Sequence, residues 1–278
     1  MGKNQIQSFL GVDGGGSNTR ALLMDANGKH LSKGFAPGSN PHNIGYPKAA
    51  SNINEAVQAA IENAAPVQLR IASVFCGIAG IRNTEEQMLL TSELQYFQWT
   101  RNARLSIDHD ISIAYRAVLG KDSGITLICG TGSSCLGKDI TGEIILTSGR
   151  TETIDDPGSG YAIGLEGIEA GLLQSTSTNR NDIAKLAPQL INLAQEGNPT
   201  AQYILNKNAD SLIELIRDTL CRLSLSENFN LGIIGSLGTT KTPYQDLILK
   251  KIASEFPNTV LRFTNKTPVE AAAELALT

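Results

Sequence analysis

Leu10-Gly11-Val12-Asp13-Gly14-Gly15-Gly16-Ser17-Asn18-Thr19-Arg20-Ala21-Leu22-Leu23-Met24 is the stretch from which the fold can be read. An apolar run stops at an aspartate and three glycines, and a second apolar run follows at once. Residues 7–12 and 20–24 therefore read as two strands joined by a glycine turn. Asp25-Ala26-Asn27-Gly28 closes the second strand with turn chemistry, and Leu31 to Ala36 adds a third. Glycine has no Cβ to keep an anion away from backbone N–H groups, so the turn suits a phosphate. A plain β-hairpin would use the same residues. Two other phosphate loops are excluded by context. A dinucleotide fingerprint needs a helix directly after the glycines, whereas a strand follows here, and no G-x-x-x-x-G-K-[ST] run occurs.

Outward from this stretch the chain alternates strand-like and helical runs, the mark of an α/β protein. The spacing predicts a helix over 47–64, a strand from Ile71 to Gly77, a helix over 84–96 and a strand at Leu105-Ser106-Ile107. A further helix runs from Asp110 to Gly120. Then the opening recurs. Ile125 to Cys129 is a strand, Gly130-Thr131-Gly132-Ser133 a glycine turn, Cys135-Leu136-Gly137-Lys138 a return strand and Asp139-Ile140-Thr141-Gly142 a turn. Strand, G-x-G-S, strand and D-x-x-G thus appear twice in one order, which implies two duplicated lobes. The ranges are 1–118 and 119–278, with the last helix returning towards the first lobe. In the second, 160–225 is mostly helical, with strands at 231–234 and 259–263 and helices at 243–255 and from 267.

Composition narrows the classes. Of 278 residues, 41% are hydrophobic and 18% charged, which is enough apolar material for a core and excludes a disordered chain. A net charge of −4 without a basic stripe argues against nucleic acid as the partner. No run approaches the roughly 18 apolar residues of a membrane span, and the first residues lack the apolar segment of a signal peptide. Cys76, Cys129, Cys135 and Cys221 form no C-x-x-C pair, as expected of reduced cytoplasmic thiols. The three histidines show no metal-ligand spacing.

Gly11 to Arg20 resembles the first phosphate motif of the eukaryotic-type N-acetylglucosamine kinases, within the BadF/BadG/BcrA/BcrD-type ATPases. Gly38-Ser39-Asn40-Pro41-His42-Asn43-Ile44-Gly45 resembles their substrate loop, and Cys129 to Ser133 their second phosphate motif. Ile233-Ile234-Gly235-Ser236-Leu237-Gly238 resembles the adenosine motif, and Pro268 to Ala276 the closing helix. The motifs run in the family's order over nearly the whole chain. The resemblance implies two ribonuclease H-like lobes of the actin/hexokinase type with a cleft between them. It also implies ATP and Mg²⁺ as cofactors, a sugar as substrate and a homodimer.

Phosphoryl transfer needs alignment, charge neutralisation and an acceptor for the hydroxyl proton. Asp13, beside the glycines, has the carboxylate that holds Mg²⁺, or else caps the turn. Gly14, Gly15, Gly16, Ser17, Asn18 and Thr19 would contact phosphate, as would Gly130, Thr131, Gly132 and Ser133. Gly235, Ser236 and Gly238 would let the nucleoside lie against backbone. Within Asp108-His109-Asp110 the resemblance implies Asp110 as the base and as a substrate contact. Position alone also makes it a helix N-cap, with Asp108 in reserve and His109 as a wall residue. Asn40 would bond sugar hydroxyls, or open an Asn-Pro turn; Ser134 and Asp156 complete the substrate set.

The resemblance breaks at Ser148 to Gly160, where the family has Gly-Gly-x-Gly and then Gly-Asp-Glu-Gly-Ser-Gly. Here Pro157 replaces the acid, and Arg150 and Thr151 replace an aromatic residue and a glycine. Ser134 stands for an asparagine and Glu270 for a glycine. These changes touch sugar choice more than phosphate handling. They leave glucosamine and N-acetylmuramic-type sugars open beside N-acetylglucosamine. Two rival readings are an ATPase activator, which would carry an iron–sulfur cluster on cysteines, and a non-catalytic ATP- or sugar-sensing protein.

Overall fold

The computed structural model describes residues 5–148, 156–223, 225–264 and 266–278. Arg150 and Thr151, and with them the altered glycine stretch, lie outside the described residues.

The chain divides into two compact units, Met1–Ala117 with Asn265–Thr278, and Val118–Thr264. The first unit holds β1 (Ile6–Gly14), β2 (Asn18–Asp25), β3 (His30–Pro37), α1 (Pro41–Ile44) and α2 (Tyr46–Asn63). These are followed by β4 (Leu69–Ile78), α3 (Thr84–Leu94), β5 (Arg104–His109) and α4 (Asp110–Leu119), which runs across the boundary. The second unit continues with β6 (Gly124–Cys129), β7 (Ser133–Lys138), β8 (Ile144–Ser148), α5 (Gly160–Glu169), α6 (Arg180–Ala184), α7 (Ala187–Gln195) and α8 (Pro199–Arg222). It ends with β9 (Asn230–Ile234), α9 (Ser236–Thr239), α10 (Pro243–Glu255) and β10 (Val260–Arg262), before α11 (Pro268–Leu277).

Each unit has one five-stranded sheet, ordered β3-β2-β1-β4-β5 in the first and β10-β9-β6-β7-β8 in the second. Read from the same side, these are one topology: a three-strand antiparallel meander followed by two strands parallel to its first. The repeat is therefore longer than the sequence shows, because β8 matches β3. Its apolar run, Ile144-Ile145-Leu146, is only three residues long and follows the Asp139 turn, and Ile144 and Leu146 are exposed on it.

Packing explains the helices. On α2 the buried Ala49, Ile53, Ala56, Val57 and Ala60 form one stripe at helical spacing. The stripe lies so close to β3 that a Cβ on Gly34 would sit 2.0 Å from the Ala56 carbonyl oxygen. In the second unit α8 starts at Asn198, which accepts the Ala201 N–H, with Pro199 next, as helix starts favour. Gly137 of β7 lets α8 approach, since a Cβ there would meet Leu223 at 2.3 Å.

Helix α11 lies in the first unit and packs on its sheet: Val269 and Ala273 form a buried cluster with Leu22 and Met24. A Cβ on Gly11 would lie 2.1 Å from the Ala273 nitrogen, which is why this helix carries Ala271, Ala272 and Ala273, all fully buried. Glu270, out of pattern in sequence, completes a capping box with Thr267, whose N–H it accepts at 2.8 Å. Those bonds to Thr267 hold its carboxyl below the usual range, and Lys33 and His30 add to the effect. Among the described residues no helix is long and apolar enough to cross a membrane.

Candidate active site

In both sheets the glycine turns sit at the carboxyl ends of the parallel strands, where open α/β sheets bind ligands. In the first unit, register places Asp13 opposite Gly77 and Gly77 opposite Asp108, so the ends of β1, β4 and β5 lie side by side. The turn after β1 closes through Gly15 N–H donating to the Asn18 carbonyl at 2.9 Å. Gly14 must be glycine: a Cβ there would meet Ser39 Oγ at 2.2 Å and Ile78 Cδ1 at 2.6 Å. Ser39 N–H donates to the Gly15 carbonyl at 2.9 Å, and Thr19 Oγ1 donates to the Pro37 carbonyl at 2.7 Å. The phosphate turn and the sugar loop are therefore one hydrogen-bonded body.

The sugar loop is not a loop throughout. Asn40 caps the short helix α1, its Oδ1 accepting the His42 N–H at 2.9 Å. Its turn-opening role thus uses the oxygen alone, and no hydrogen bond is made by the amide Nδ2. His42 Nε2 lies 2.8 Å from the Gly80 carbonyl and 3.0 Å from Glu86 Oε1, which ties the loop to the turn between β4 and α3.

Asp13 is 8% exposed. Burial pushes its carboxyl above the usual range. Arg20 beside it opposes this by charge and hydrogen bond, and the Asp110 carboxylate adds a further push upward. Arg20 Nη1 donates to Asp13 Oδ2 at 3.2 Å across the β1–β2 register, which leaves Oδ1 for another partner. One hard carboxylate oxygen next to a phosphate turn fits Mg²⁺, which takes few protein ligands and fills its shell with phosphate and water. No group of three or more His, Cys, Asp or Glu among the described residues makes a protein-only metal cage.

The Asp108-His109-Asp110 run resolves by hydrogen bonding. Asp108 Oδ1 accepts the His109 N–H at 2.8 Å and is occupied. His109, not Asp110, caps α4: its Nδ1 accepts the Ile111 N–H at 3.1 Å. His109 is thus more than a wall residue. Asp110 Oδ1 is shielded from solvent and has no hydrogen-bond donor. Its neighbour is His109 Nδ1 at 2.5 Å, an ion pair only when the ring is protonated. A buried oxygen in this position gains from any donor that reaches it.

The second unit gathers the other residues. Gly130, Thr131 and Gly132 turn between Cys129 and Ser133, which are paired in register. Gly160 N–H donates to the Gly130 carbonyl at 2.8 Å and Tyr161 N–H to the Thr131 carbonyl at 3.1 Å. Ser133 Oγ donates to the Pro157 carbonyl at 2.7 Å, and Ser133 N–H to Asp156 Oδ1 at 3.2 Å. Pro157 therefore does not break the turn, which uses its carbonyl oxygen. Gly158, at φ +80°, has no room for a side chain, since a Cβ would lie 2.3 Å from Leu212. Gly235, at φ +97°, lies on the Cys129 carbonyl, 2.3 Å from where its Cβ would be. A Cβ on Gly130 would in turn be 3.8 Å from Ser236 N, so the adenosine motif and the second phosphate turn adjoin. Gly238 is buried, and its carbonyl accepts from Gln245 Nε2 at 3.0 Å. Ser134 is buried in β7, one residue past the turn.

Asp156 is thus fastened to the phosphate turn and paired with Arg180. The Arg180 guanidinium also lies 4.1 Å from the centre of the Tyr161 ring. Sequence reasoning missed Arg180, which no spacing connects to Asp156. It also missed Arg20, although counting outward from the turn pairs Arg20 with Asp13. Cys76, Cys129 and Cys135 are buried, and burial alone pushes the thiols of Cys76 and Cys129 up to about 12. They are core residues and offer no cluster to the activator reading.

The sequence matches the BadF/BadG/BcrA/BcrD ATPase family over residues 10–276. It is 28% identical to an N-acetyl-D-glucosamine kinase of Dictyostelium discoideum, over 97% of each chain. It is 27% identical to an N-acetylmuramic acid/N-acetylglucosamine kinase of Clostridium acetobutylicum, over 60% of this chain and 54% of that one. The fold is similar to that of a candidate N-acetylglucosamine kinase from Chromobacterium violaceum, with a TM-score of 0.79 at 19% identity, covering 98% of this chain and 99% of that one. It is also similar to a ROK hexokinase from Thermus thermophilus, with a TM-score of 0.62 at 16% identity over 97% of each chain. These likenesses show the two-lobed actin/hexokinase-type fold. Matched over nearly its whole length, the chain belongs to the BadF/BadG/BcrA/BcrD ATPase family.

Proposed function

We propose that this protein is an ATP-dependent amino-sugar kinase, transferring the γ-phosphate of ATP to a hydroxyl of an N-acetylglucosamine-like sugar. The observation that carries the reading is the place of Asp110 at the start of α4, with Oδ1 shielded from solvent and the carboxylate near enough to Asp13 to push that group upward. A substrate hydroxyl that reaches Asp110 gives up its proton there as the oxygen attacks phosphorus. Gly14 to Thr19 and Gly130 to Ser133 hold the phosphates, Asn40 Nδ2 is placed for a sugar oxygen, and Gly235, Ser236 and Gly238 support the nucleoside. Asp13 would hold Mg²⁺, which neutralises phosphate charge when bound. Both relatives above are amino-sugar kinases by name, which supports the substrate class. Ser134 and Asp156, with their engaged or buried side chains, act on sugar choice through the phosphate turn. A cytoplasmic homodimer is the setting that goes with this reading.

The test is ADP release from Mg-ATP with glucosamine, N-acetylglucosamine and N-acetylmuramic acid, comparing wild type with Asp110→Asn. Sugar-dependent release that falls by about 10²- to 10⁴-fold in the variant supports the reading. Release independent of every sugar would move the assignment to an activator or sensor.

A further inference from the structure

At the opposite end of the first sheet, where β1 and β4 begin, lies a cavity of about 530 Å³. Asp13 and Gly14 are eight strand positions away, about 25 Å. The cavity floor is apolar, with Leu69 and Ile71 of β4 and Ile61 of α2. One wall is Trp99, stacked on Phe97 and fixed by its indole N–H, which donates to Asn54 Oδ1 at 3.0 Å. The rest is polar: Arg70 and Arg101, with the amides of Gln58, Gln98 and Asn102. None of these five side chains makes a hydrogen bond or ion pair among the described residues. Two unpaired guanidinium groups beside three unused amides and an indole make a recognition set rather than a structural one. Guanidinium forks match phosphate oxygens, amides match hydroxyls, and an indole ring packs on the apolar side of a sugar. The volume lies within the range of small-molecule sites.

We propose that this cavity binds a sugar phosphate, with Arg70 and Arg101 on the phosphate and Gln58, Gln98 and Asn102 on the hydroxyls, separately from the site around Asp13. The inference does not depend on the kinase reading, since it uses no residue of that site. Trp99 is the chain's one tryptophan, so its fluorescence reports directly on the cavity.

The experiment is titration of Trp99 emission with glucose 6-phosphate and, separately, inorganic phosphate and AMP. Wild type, Arg70→Gln/Arg101→Gln and Asp110→Asn are compared. The expected result is a saturable change with glucose 6-phosphate in wild type and Asp110→Asn. In the double-arginine variant the affinity falls by at least about tenfold. Both arginines are exposed, so that variant keeps the fold, which circular dichroism verifies. No saturable change at millimolar glucose 6-phosphate overturns the proposal, as does an undiminished one in the double variant. Loss of the titration in Asp110→Asn would place the ligand at the other end of the sheet. Equal or tighter binding of inorganic phosphate or AMP would overturn the sugar-phosphate assignment.

Discussion

The two phosphate turns share a sequence pattern and a place in their sheets, yet they are built differently. In the first, Asp13 precedes the glycines and pairs in register with Arg20, and the ladder runs on through Gly14 and Thr19. In the second, the equivalent residue is Cys129, which pairs in register with Ser133 at the end of its ladder. The first turn is braced by the sugar loop through Ser39 and Thr19. The second is braced by Asp156 to Gly160 and by Tyr244, whose hydroxyl donates to the Gly158 carbonyl at 3.0 Å. One lobe has kept charge at its turn, with Asp13, Arg20 and Asp110. The other has a neutral residue before its glycines, since a thiol pushed up to about 12 stays protonated, and its charge comes from Asp156 and Arg180 beside the turn. Duplication supplied a scaffold, and the residue before the glycines separated the roles.

The comparison breaks most sharply at the carboxylates. Asp110→Asn lowers kcat by about 10²- to 10⁴-fold in the ADP-release assay while the melting temperature stays within a few degrees. A turnover within tenfold of wild type would return the base role to Asp108. The next effect is on stability. Gly158→Ala places a methyl on Leu212 at a left-handed φ and costs about 2–4 kcal/mol. Gly28→Ala, at φ +79° with open space around it, costs about 1 kcal/mol from conformation alone. Thermal unfolding of the pair separates crowding from backbone strain, and equal losses would refute the brace around Gly158.

A subtler difference concerns pH. Asp13 takes up its proton at a higher pH than an ordinary aspartate, because burial outweighs Arg20. Its carboxylate is therefore lost early on acidification. Arg20→Gln removes a downward influence, so the acidic limb of the kcat/KM profile moves to higher pH. A limb that stayed in place would show that Asp13 does not set it. A modest effect is expected at Cys129, whose Sγ donates to the Gly158 carbonyl at 3.5 Å. Cys129→Ser costs about 1–2 kcal/mol in a urea titration, the price of burying a more polar group. It leaves the acidic limb unmoved, since no charge is altered there.

Much of this was legible from residues alone, and its limits have physical causes. Glycine turns, strand lengths and helix stripes are local, so β1, β2, α2, α4 and β6 were read close to their observed bounds. Strand β8 was missed because its apolar run, Ile144-Ile145-Leu146, is too short to show a period. Helix α1 was missed because four residues after an Asn-Pro pair look the same as a turn. Asp110 was legible as a carboxylate at a helix start, but its choice between cap and base was not. That choice depended on whether the neighbouring imidazole reached the Ile111 N–H first.

The sequence by itself determined that there are two α/β halves, each opening with a strand, a glycine turn and a return strand, and that an aspartate precedes only the first turn. Those features follow from backbone sterics and periodicity, which act over a few residues. Only the tertiary structure decided that Arg180 finds Asp156, and that Pro157 is harmless in a turn that uses only its carbonyl. It also decided that Arg70 and Arg101 meet at the foot of the first sheet. Each of these pairs residues far apart in the chain, and the partners are set by which faces pack together, a choice no local pattern encodes.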